Sequence, residues 1–381
     1  MMKIAQVIPC LGRNSGGPSR SVYELSKGLR SIGVESEILT NNYIENPNIA
    51  SDRWIHSVDI SKMLPFEYNA KFKNVLKSRD YELFHIHSIY SYPVTIAARF
   101  AKNRGIPYII APRGSLYDAA LNSSSVWKKR IFNHLFLYSD LQHASAIHAT
   151  CREEMEQIRE LGIKTPIAII PNSISLPKEM PLIQTPSKFR LCFLGRINPI
   201  KNLDGLLKAW HCSGLSNSAD AELVIIGGAS LEKERLYLKE LHRLEQELQI
   251  RNIAWKGNLL GEEKNNVLKS CSFLILPSYS ENFGMVVVEA LIHGVPVVAS
   301  KGTPWSILET QGCGWWINNS VEDMGKKIKE LLKVSLEKRL DMGYKGQLLV
   351  EQKYSTDAVS NALKTLYEWI LYNKDKPNFV K

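Results

Sequence analysis

The sequence predicts an α/β protein built from two doubly wound domains, each a parallel sheet with helices on both faces. Three observations predict it. Short apolar strand-like runs alternate with helix-period segments along the chain. The alternation lapses once, in a Pro- and Ser-containing stretch from Asn172 to Lys188, and then restarts. A length of 381 residues fits two domains of ordinary size.

In the first half, strands are expected at Lys3–Pro9, Val34–Thr40, Leu83–His87, Tyr108–Ala111, Ser145–Ala149 and Ile167–Pro171. Helices are expected at Pro18–Ser31, Val94–Asn103, Val126–Tyr138 and Arg152–Leu161, the last opened by a Thr150/Glu153 capping box. After the linker, strands are expected at Phe189–Leu194, Glu222–Ile226, Ile253–Trp255, Phe273–Leu276 and Val295–Ala299, with helices at Asn202–His211, Leu231–Gln249 and Gly284–His293. The expected boundaries are 1–178, 179–355 and a closing amphipathic helix within 356–381 that is free to pack on either domain. Ligands of such folds bind beyond the carboxyl ends of the strands, so two domains facing a central cleft would hold the chemistry there.

Composition narrows the class. Hydrophobic residues make up 44% and charged residues 23%, which fits a globular enzyme and excludes a disordered or collagen-like chain. No apolar run reaches the roughly 18 residues that span a bilayer. The N-terminal apolar run is broken at Gln6 and Pro9 and reads as a first buried strand rather than a secretory leader. Six scattered cysteines without a C-x-x-C pair fit reduced thiols in the cytoplasm. The departure from average is a net charge of +10, concentrated where Arg99, Lys102, Arg104, Arg113, Lys128, Lys129 and Arg130 face Asp118 alone. Such a block is either a solvated face or a docking patch for anionic lipid headgroups. No nucleic-acid-binding module accompanies it.

Two segments carry chemistry. In Ser280-Glu281-Asn282-Phe283-Gly284-Met285-Val286-Val287-Val288-Glu289, a buried strand leads through a polar loop into a helix that starts near Gly284. The amide groups of a helix start attract an anion, and Gly284 lets a phosphate approach the backbone. Two carboxylates beside an anion site repel the anion unless they accept hydrogen bonds from sugar hydroxyls on either side of a diphosphate. In Gly195-Arg196-Ile197-Asn198-Pro199-Ile200-Lys201-Asn202, a second strand–loop–helix segment brings two cations to the same sheet edge. Arg196 and Lys201 suit the charge on a departing nucleoside diphosphate. The competing account makes these residues surface charges and helix salt-bridge partners.

Glu-x7-Glu with Phe-Gly inside it, together with Gly-Arg-x4-Lys-Asn, resembles the retaining glycosyltransferases of family four, which have the GT-B fold. The likeness covers nearly the whole chain. Gly16-Gly17 resembles that family's glycine loop, His85-Ile86-His87 its His-x-His strand end, and Ile170-Pro171-Asn172 its Pro-Asn turn. Gly302-Thr303-Pro304-Trp305 and Gly312-Cys313-Gly314-Trp315-Trp316 resemble a subgroup common in bacterial surface-polysaccharide assembly.

The resemblance implies roles. Arg196 and Lys201 would bind the diphosphate; Glu281 would bond donor-sugar hydroxyls; Asn282, Phe283, Gly284, Met285 and Val286 would line the donor site. Glu289 would hold the ribose, Lys256 would lie by the base, and Gly16 and Gly17 would close the phosphate side. Arg113 stands in Pro112-Arg113-Gly114 where many relatives have a histidine; an arginine cannot act as a base, but it can bind the donor sugar or an anionic acceptor. His87 is an acceptor-side candidate. His85, His134, His143, His148, His211, His242 and His293 show no ligand spacing and read as core or surface residues. Trp315-Trp316 reads as packing on a strand rather than a sugar platform.

The resemblance further implies a metal-independent hexosyltransferase without a cofactor, using a UDP-sugar or GDP-sugar. Its acceptor would be a lipid-linked saccharide of lipopolysaccharide, O-antigen or capsule type, at the inner face of the cytoplasmic membrane. The chain contains no Asp-x-Asp, the divalent-ion motif of the other large transferase fold. A nucleotide-sugar epimerase of similar fold and a non-catalytic scaffold are the alternatives. An NAD-dependent dehydrogenase is disfavoured, because Gly12 to Gly17 lacks the G-x-G-x-x-G spacing.

Overall fold

The computed structural model describes residues 2–11, 17–42, 52–59, 65–116 and 137–381. Two compact units emerge: Met1–Ser175 together with Lys353–Lys381, and Leu176–Gln352.

The first unit holds a seven-stranded sheet: β1 (Lys3–Cys10), β2 (Glu35–Asn42), β3 (Ile55–Asp59), β4 (Leu83–His87), β5 (Tyr108–Ala111), β6 (Ala146–Ala149) and β7 (Ile167–Ile169). Their order is β3-β2-β1-β4-β5-β6-β7, and each adjacent pair is parallel. β4 and β5 are buried at every residue, as strands covered on both faces must be.

The closing helix Thr356–Tyr372 belongs to this unit. Its Val359, Leu363, Leu366 and Tyr367 join Ile4, Leu25, Leu29, Leu83 and Ile109 in one buried cluster. The approach is close: a Cβ on Gly28, in the helix Gly17–Ser31, would lie 2.3 Å from Thr356 Cγ2 and 2.4 Å from Ser360 Oγ. Beyond the helix, Lys381 exchanges backbone hydrogen bonds with Ile167 and closes the β7 edge.

The second unit holds β8 (Phe189–Leu194), β9 (Ala221–Ile226), β10 (Ile253–Gly257), β11 (Phe273–Leu276), β12 (Val297–Ser300) and β13 (Gly314–Ile317). The order is β10-β9-β8-β11-β12-β13, again parallel throughout. Strand order reverses beside β8, so the loops after β8 and β11 leave a crevice between them at the carboxyl edge. Trp315 and Trp316 behave as adjacent strand residues. The ring of Trp315 packs on Phe273, whereas Trp316 Nε1 donates to Thr303 O.

Several expectations need correction. β3 and the helices Phe72–Lys77, Gly261–Lys269, Ile307–Thr310, Val321–Leu331 and Leu336–Leu349 were not anticipated. The capping box is displaced by one residue. Cys151 is the N-cap, and it is Glu154, not Glu153, whose buried carboxylate accepts from Thr150 N (2.7 Å) and Thr150 Oγ1 (2.8 Å). The same carboxylate accepts from Gly114 N at 2.6 Å, a long-range bond that no local spacing reveals. Gly16, Lys128, Lys129, Arg130, Asp118, His134 and the expected helix Val126–Tyr138 up to residue 136 lie outside the described residues.

Replacing Gly28 by Val should place a methyl-bearing Cβ against Thr356 and Ser360 and destabilise the first unit. Overpacking of this kind costs about 1–3 kcal/mol, read as a lower urea midpoint; an unchanged midpoint would contradict the close packing.

Candidate active site

In the second unit the crevice is stitched by loop-to-loop hydrogen bonds. Gly195 N donates to Ile226 O (3.0 Å), Ile197 N to Gly228 O (3.0 Å) and Tyr279 N to Ile200 O (2.8 Å). A Cβ on Gly227 would sit 1.9 Å from Gly195 O, so the loops after β8 and β9 can touch only through a glycine there. Asn202, left-handed at φ 54°, directs its side-chain amide to Pro277 O and Asn319 O. Glu281 N donates to Gly302 O at 3.0 Å, and a Cβ on Gly302 would strike Tyr279 O at 2.3 Å.

Within this frame Lys201 Nζ pairs directly with Glu281 Oε1, and Ser278 Oγ donates to the same oxygen at 3.0 Å. Both charged side chains are mostly withdrawn from water, 14% exposed each. The two residues that the motifs select 80 positions apart thus form one ion pair. Immediately beyond it the helix Met285–Ile292 begins. Gly284 is its N-cap at φ 80°, with no side chain capping the amide groups. The first N–H groups of a helix lack intrahelical acceptors, so this end is electropositive. Asn282, Met285 and Val286 are half-buried around it, while Phe283 is buried edge-on against Trp305, whose Nε1 donates to Phe283 O.

Arg196 is 74% exposed and lies 3.7 Å from Glu234 Oε1. Burial alone would raise the Glu234 pKa, yet the amides of Leu231 and Ser230, Asn198 and Arg196 hold it below the usual carboxylate range. Glu289, one turn into its helix, pairs with Lys264 Nζ at 2.9 Å. Lys256 is exposed and is the penultimate residue of β10, not a residue past its end, because that edge strand runs on to Gly257.

The first unit presents a different constellation at the carboxyl edge of its own sheet. Ser88 (φ 80°), Tyr90 (φ 61°) and Arg113 (φ 56°) all hold left-handed backbone after β4 and β5. Each such non-glycine residue costs on the order of 1–3 kcal/mol, and such strain gathers at functional sites. Arg113 donates to Asn172 Oδ1, to Ser21 Oγ (3.4 Å) and to His87 Nδ1 (3.0 Å). The Pro-Asn turn therefore has a physical role, since its Asn172 anchors Arg113. Burial lowers the Arg113 pKa to about 10, so the guanidinium stays charged at neutral pH.

His87 is fully buried, and both its ring nitrogens are engaged, by Arg113 and by Gln6 Oε1 at 2.7 Å. It touches Arg113 rather than open solvent. His85 and His148, read from the sequence as core or surface residues, are buried; they bond to each other at 3.1 Å and reach Tyr367 and Ile170 O. Sequence reasoning missed Gln6, Tyr367, Glu154, Glu234, Lys264 and the Gly227-Gly228 pair. The last of these had a signal, two glycines directly after a strand. The others are ordinary residues until the sheet juxtaposes them.

The charge block divides. Lys102 and Arg104 are exposed at the end of the helix Tyr92–Arg104, whereas Arg113 is drawn into the network just described. Among the described residues no three His, Cys, Asp or Glu side chains gather as a metal set, and no helix is long and apolar enough to cross a membrane.

Comparison with known proteins agrees with this fold. Residues 182–349 match the glycosyl transferases group 1 family, and residues 16–173 match the glycosyl transferase 4-like domain. The chain is therefore a GT4-like glycosyltransferase of GT-B fold. An uncharacterized glycosyltransferase of Methanocaldococcus jannaschii is 27% identical over 361 residues, covering 93% of this chain and 94% of that one. Three solved structures share the fold. The sucrose-phosphate synthase from Thermosynechococcus elongatus has a TM-score of 0.77 at 16% identity, covering 98% of this chain and 100% of that one. Anabaena HepE in complex with UDP and glucose has 0.73 at 16%, covering 97% and 100%. WaaG, a glycosyltransferase involved in lipopolysaccharide biosynthesis, has 0.66 at 13%, covering 95% and 98%.

The buried histidines set a pH dependence. Burial, followed by the neighbouring histidines and Arg113, lowers His85 and His87 well below 6.5, and burial followed by Arg113 lowers His148 to about 3. The unfolded chain then binds more protons than the folded one below about pH 6.5, so stability is full above that pH and falls as pH drops. Three such groups should cost about 4 kcal/mol between roughly pH 7.5 and 5.5. Urea unfolding at the two pH values measures it; equal stability would show that the histidines are not held neutral.

Proposed function

We propose that the chain transfers a hexose, with retention of configuration, from a UDP- or GDP-sugar to a saccharide or lipid-linked acceptor in cell-surface polysaccharide assembly. The Lys201–Glu281 pair beside the uncapped helix start at Gly284 carries this reading. It sets one cation, one carboxylate and a helix start at a single sheet edge, which supports a site for a diphosphate and a sugar. The complex of HepE with UDP and glucose supports a nucleotide-sugar donor, and the likeness to WaaG supports a lipopolysaccharide-type acceptor.

In the reaction the bond between the sugar anomeric carbon and the diphosphate oxygen breaks. The acceptor oxygen bonds to that carbon on the same face, and its proton passes to the leaving phosphate oxygen. Lys201, Arg196 and the amides from Gly284 to Val286 take up the charge that develops on the diphosphate. Glu281 bonds the donor-sugar hydroxyls once Lys201 turns to phosphate, and Glu289 holds the ribose. Arg113 serves a donor-sugar hydroxyl or an anionic acceptor group. No metal ion is assigned, because protein cations supply the charge. The exposed Lys102 and Arg104, with Lys128, Lys129 and Arg130, provide a peripheral contact with anionic lipid at the inner face of the cytoplasmic membrane.

Lys201→Ala or Arg196→Ala should lower turnover by roughly 10²–10³, the usual cost of removing a group that stabilises developing charge. Full activity in either variant would remove that residue from the mechanism. Glu281→Gln should keep nucleotide affinity and lose turnover. Vesicle co-sedimentation with Lys128, Lys129 and Arg130 replaced by Ser should show weaker binding to anionic vesicles; unchanged binding would return the block to a solvated face.

A further inference from the structure

A single file of buried polar groups crosses the first unit's sheet from Arg113 to the Ile170 carbonyl. Arg113 meets His87 Nδ1 at 3.0 Å, and His87 Nε2 meets Gln6 Oε1 at 2.7 Å. Gln6 Nε2 meets the Tyr367 hydroxyl at 3.1 Å, and that hydroxyl meets His85 Nδ1 at 2.8 Å. His85 Nε2 meets His148 Nδ1 at 3.1 Å, and His148 Nε2 meets Ile170 O at 2.7 Å. Gln6, His85, His87, His148 and Tyr367 are all buried.

The two ends fix the direction of every bond. A guanidinium only donates and a backbone carbonyl only accepts. Facing Arg113, His87 Nδ1 must accept, so its Nε2 carries the proton and donates to Gln6. The other end of the Gln6 amide then donates to Tyr367, whose hydroxyl passes its own proton toward His85 Nδ1. His85 and His148 follow as the same tautomer, ending on Ile170 O. Each link has one donor and one acceptor, and a proton added to His87 or His148 would set two donors face to face.

We propose that Tyr367, His85 and His148, acting through Gln6 and His87, are positioning residues that hold the Arg113 guanidinium through this one-way hydrogen-bond chain. The assignment rests on the reading of Arg113 as a substrate-binding group, and it gives the closing helix a part in the site, because Tyr367 comes from that helix. Tyr367 is the pivot, since only a hydroxyl can accept from Gln6 and donate to His85 at one atom. Among the described residues, the other charged group facing this region is Glu154, which accepts from Gly114 N and from Thr150 and favours the charged guanidinium. The chain therefore supplies Arg113 with a lone pair and adds no second charge beside it.

Isotope-labelled histidine NMR of the whole unliganded chain tests this directly. His85, His87 and His148 should all appear as the neutral Nε2–H tautomer and should not titrate between about pH 8 and pH 5.5, unlike a free imidazole near 6.5. Tyr367→Phe should release His87 into mixed tautomers that titrate in this range and should speed rotation of the Arg113 guanidinium, read from its own nitrogen signals. A wild-type Nδ1–H tautomer, a wild-type titration near 6.5, or a Tyr367→Phe chain with unchanged His87 and Arg113 signals would each overturn the proposal. The wild-type spectrum decides even where the variant fails to fold. The reading of Arg113 itself is tested separately: sugar transfer undiminished in Arg113→Ala would end that reading while the spectra still report on the chain.

Discussion

The reversal of strand order at β8 is the constraint on which the second unit's chemistry depends. Parallel strands send all their outgoing loops to one edge, and the reversal parts the loops after β8 and β11. Lys201 and Glu281 are thereby brought into contact from distant segments, and the pair lies beside the start of the helix Met285–Ile292, whose N-cap is Gly284. Removing one member of a buried ion pair leaves its partner uncompensated, which is costly. A diphosphate that takes over Lys201 meets no such barrier if Glu281 simultaneously gains sugar hydroxyls. Under the proposed donor binding, the resting ion pair would hold the place of the donor, as would Lys264 beside Glu289 and Glu234 beside Arg196.

The first unit solves a different problem. A guanidinium buried at a sheet edge needs acceptors, and Arg113 finds them in Asn172, Ser21 and His87 rather than in a directly bonded carboxylate. The strained backbone at Arg113 and the glycine that follows it are held by Glu154, whose carboxylate spans Gly114 and Thr150. The histidines behind Arg113 remain neutral, so they contribute hydrogen bonds without adding positive charge to a site that already holds one.

Much of this was legible in the sequence, and the rest was not for identifiable reasons. β4, β5, β8 and β11 were read to the residue: β5 and β11 are continuous apolar runs, and β4 and β8 are short runs rich in apolar residues. β3, with His56, Ser57 and Asp59 at its core and end, carries no such signal. The Glu281 and Lys201 segments stood out because their charges sit on strand-to-helix loops. Lys264 and Glu234 did not, since each lies in a helix rich in like residues and acquires meaning only through a long-range partner. His85 and His148 were left as core or surface residues; they are buried, and their connection runs between strands and through Tyr367, some 280 residues away from His85. Local spacing reads faces, and it placed this cap only to within a residue, as the shift from Glu153 to Glu154 shows; it does not read which buried polar groups meet across a sheet.

A crystal structure with UDP or GDP bound tests the central claim most directly. The diphosphate should lie within hydrogen-bonding distance of Lys201 Nζ and of the backbone N–H groups after Gly284, with the Lys201–Glu281 pair opened and the ribose at Glu289. A nucleotide bound elsewhere, or bound here with that ion pair intact, would contradict it.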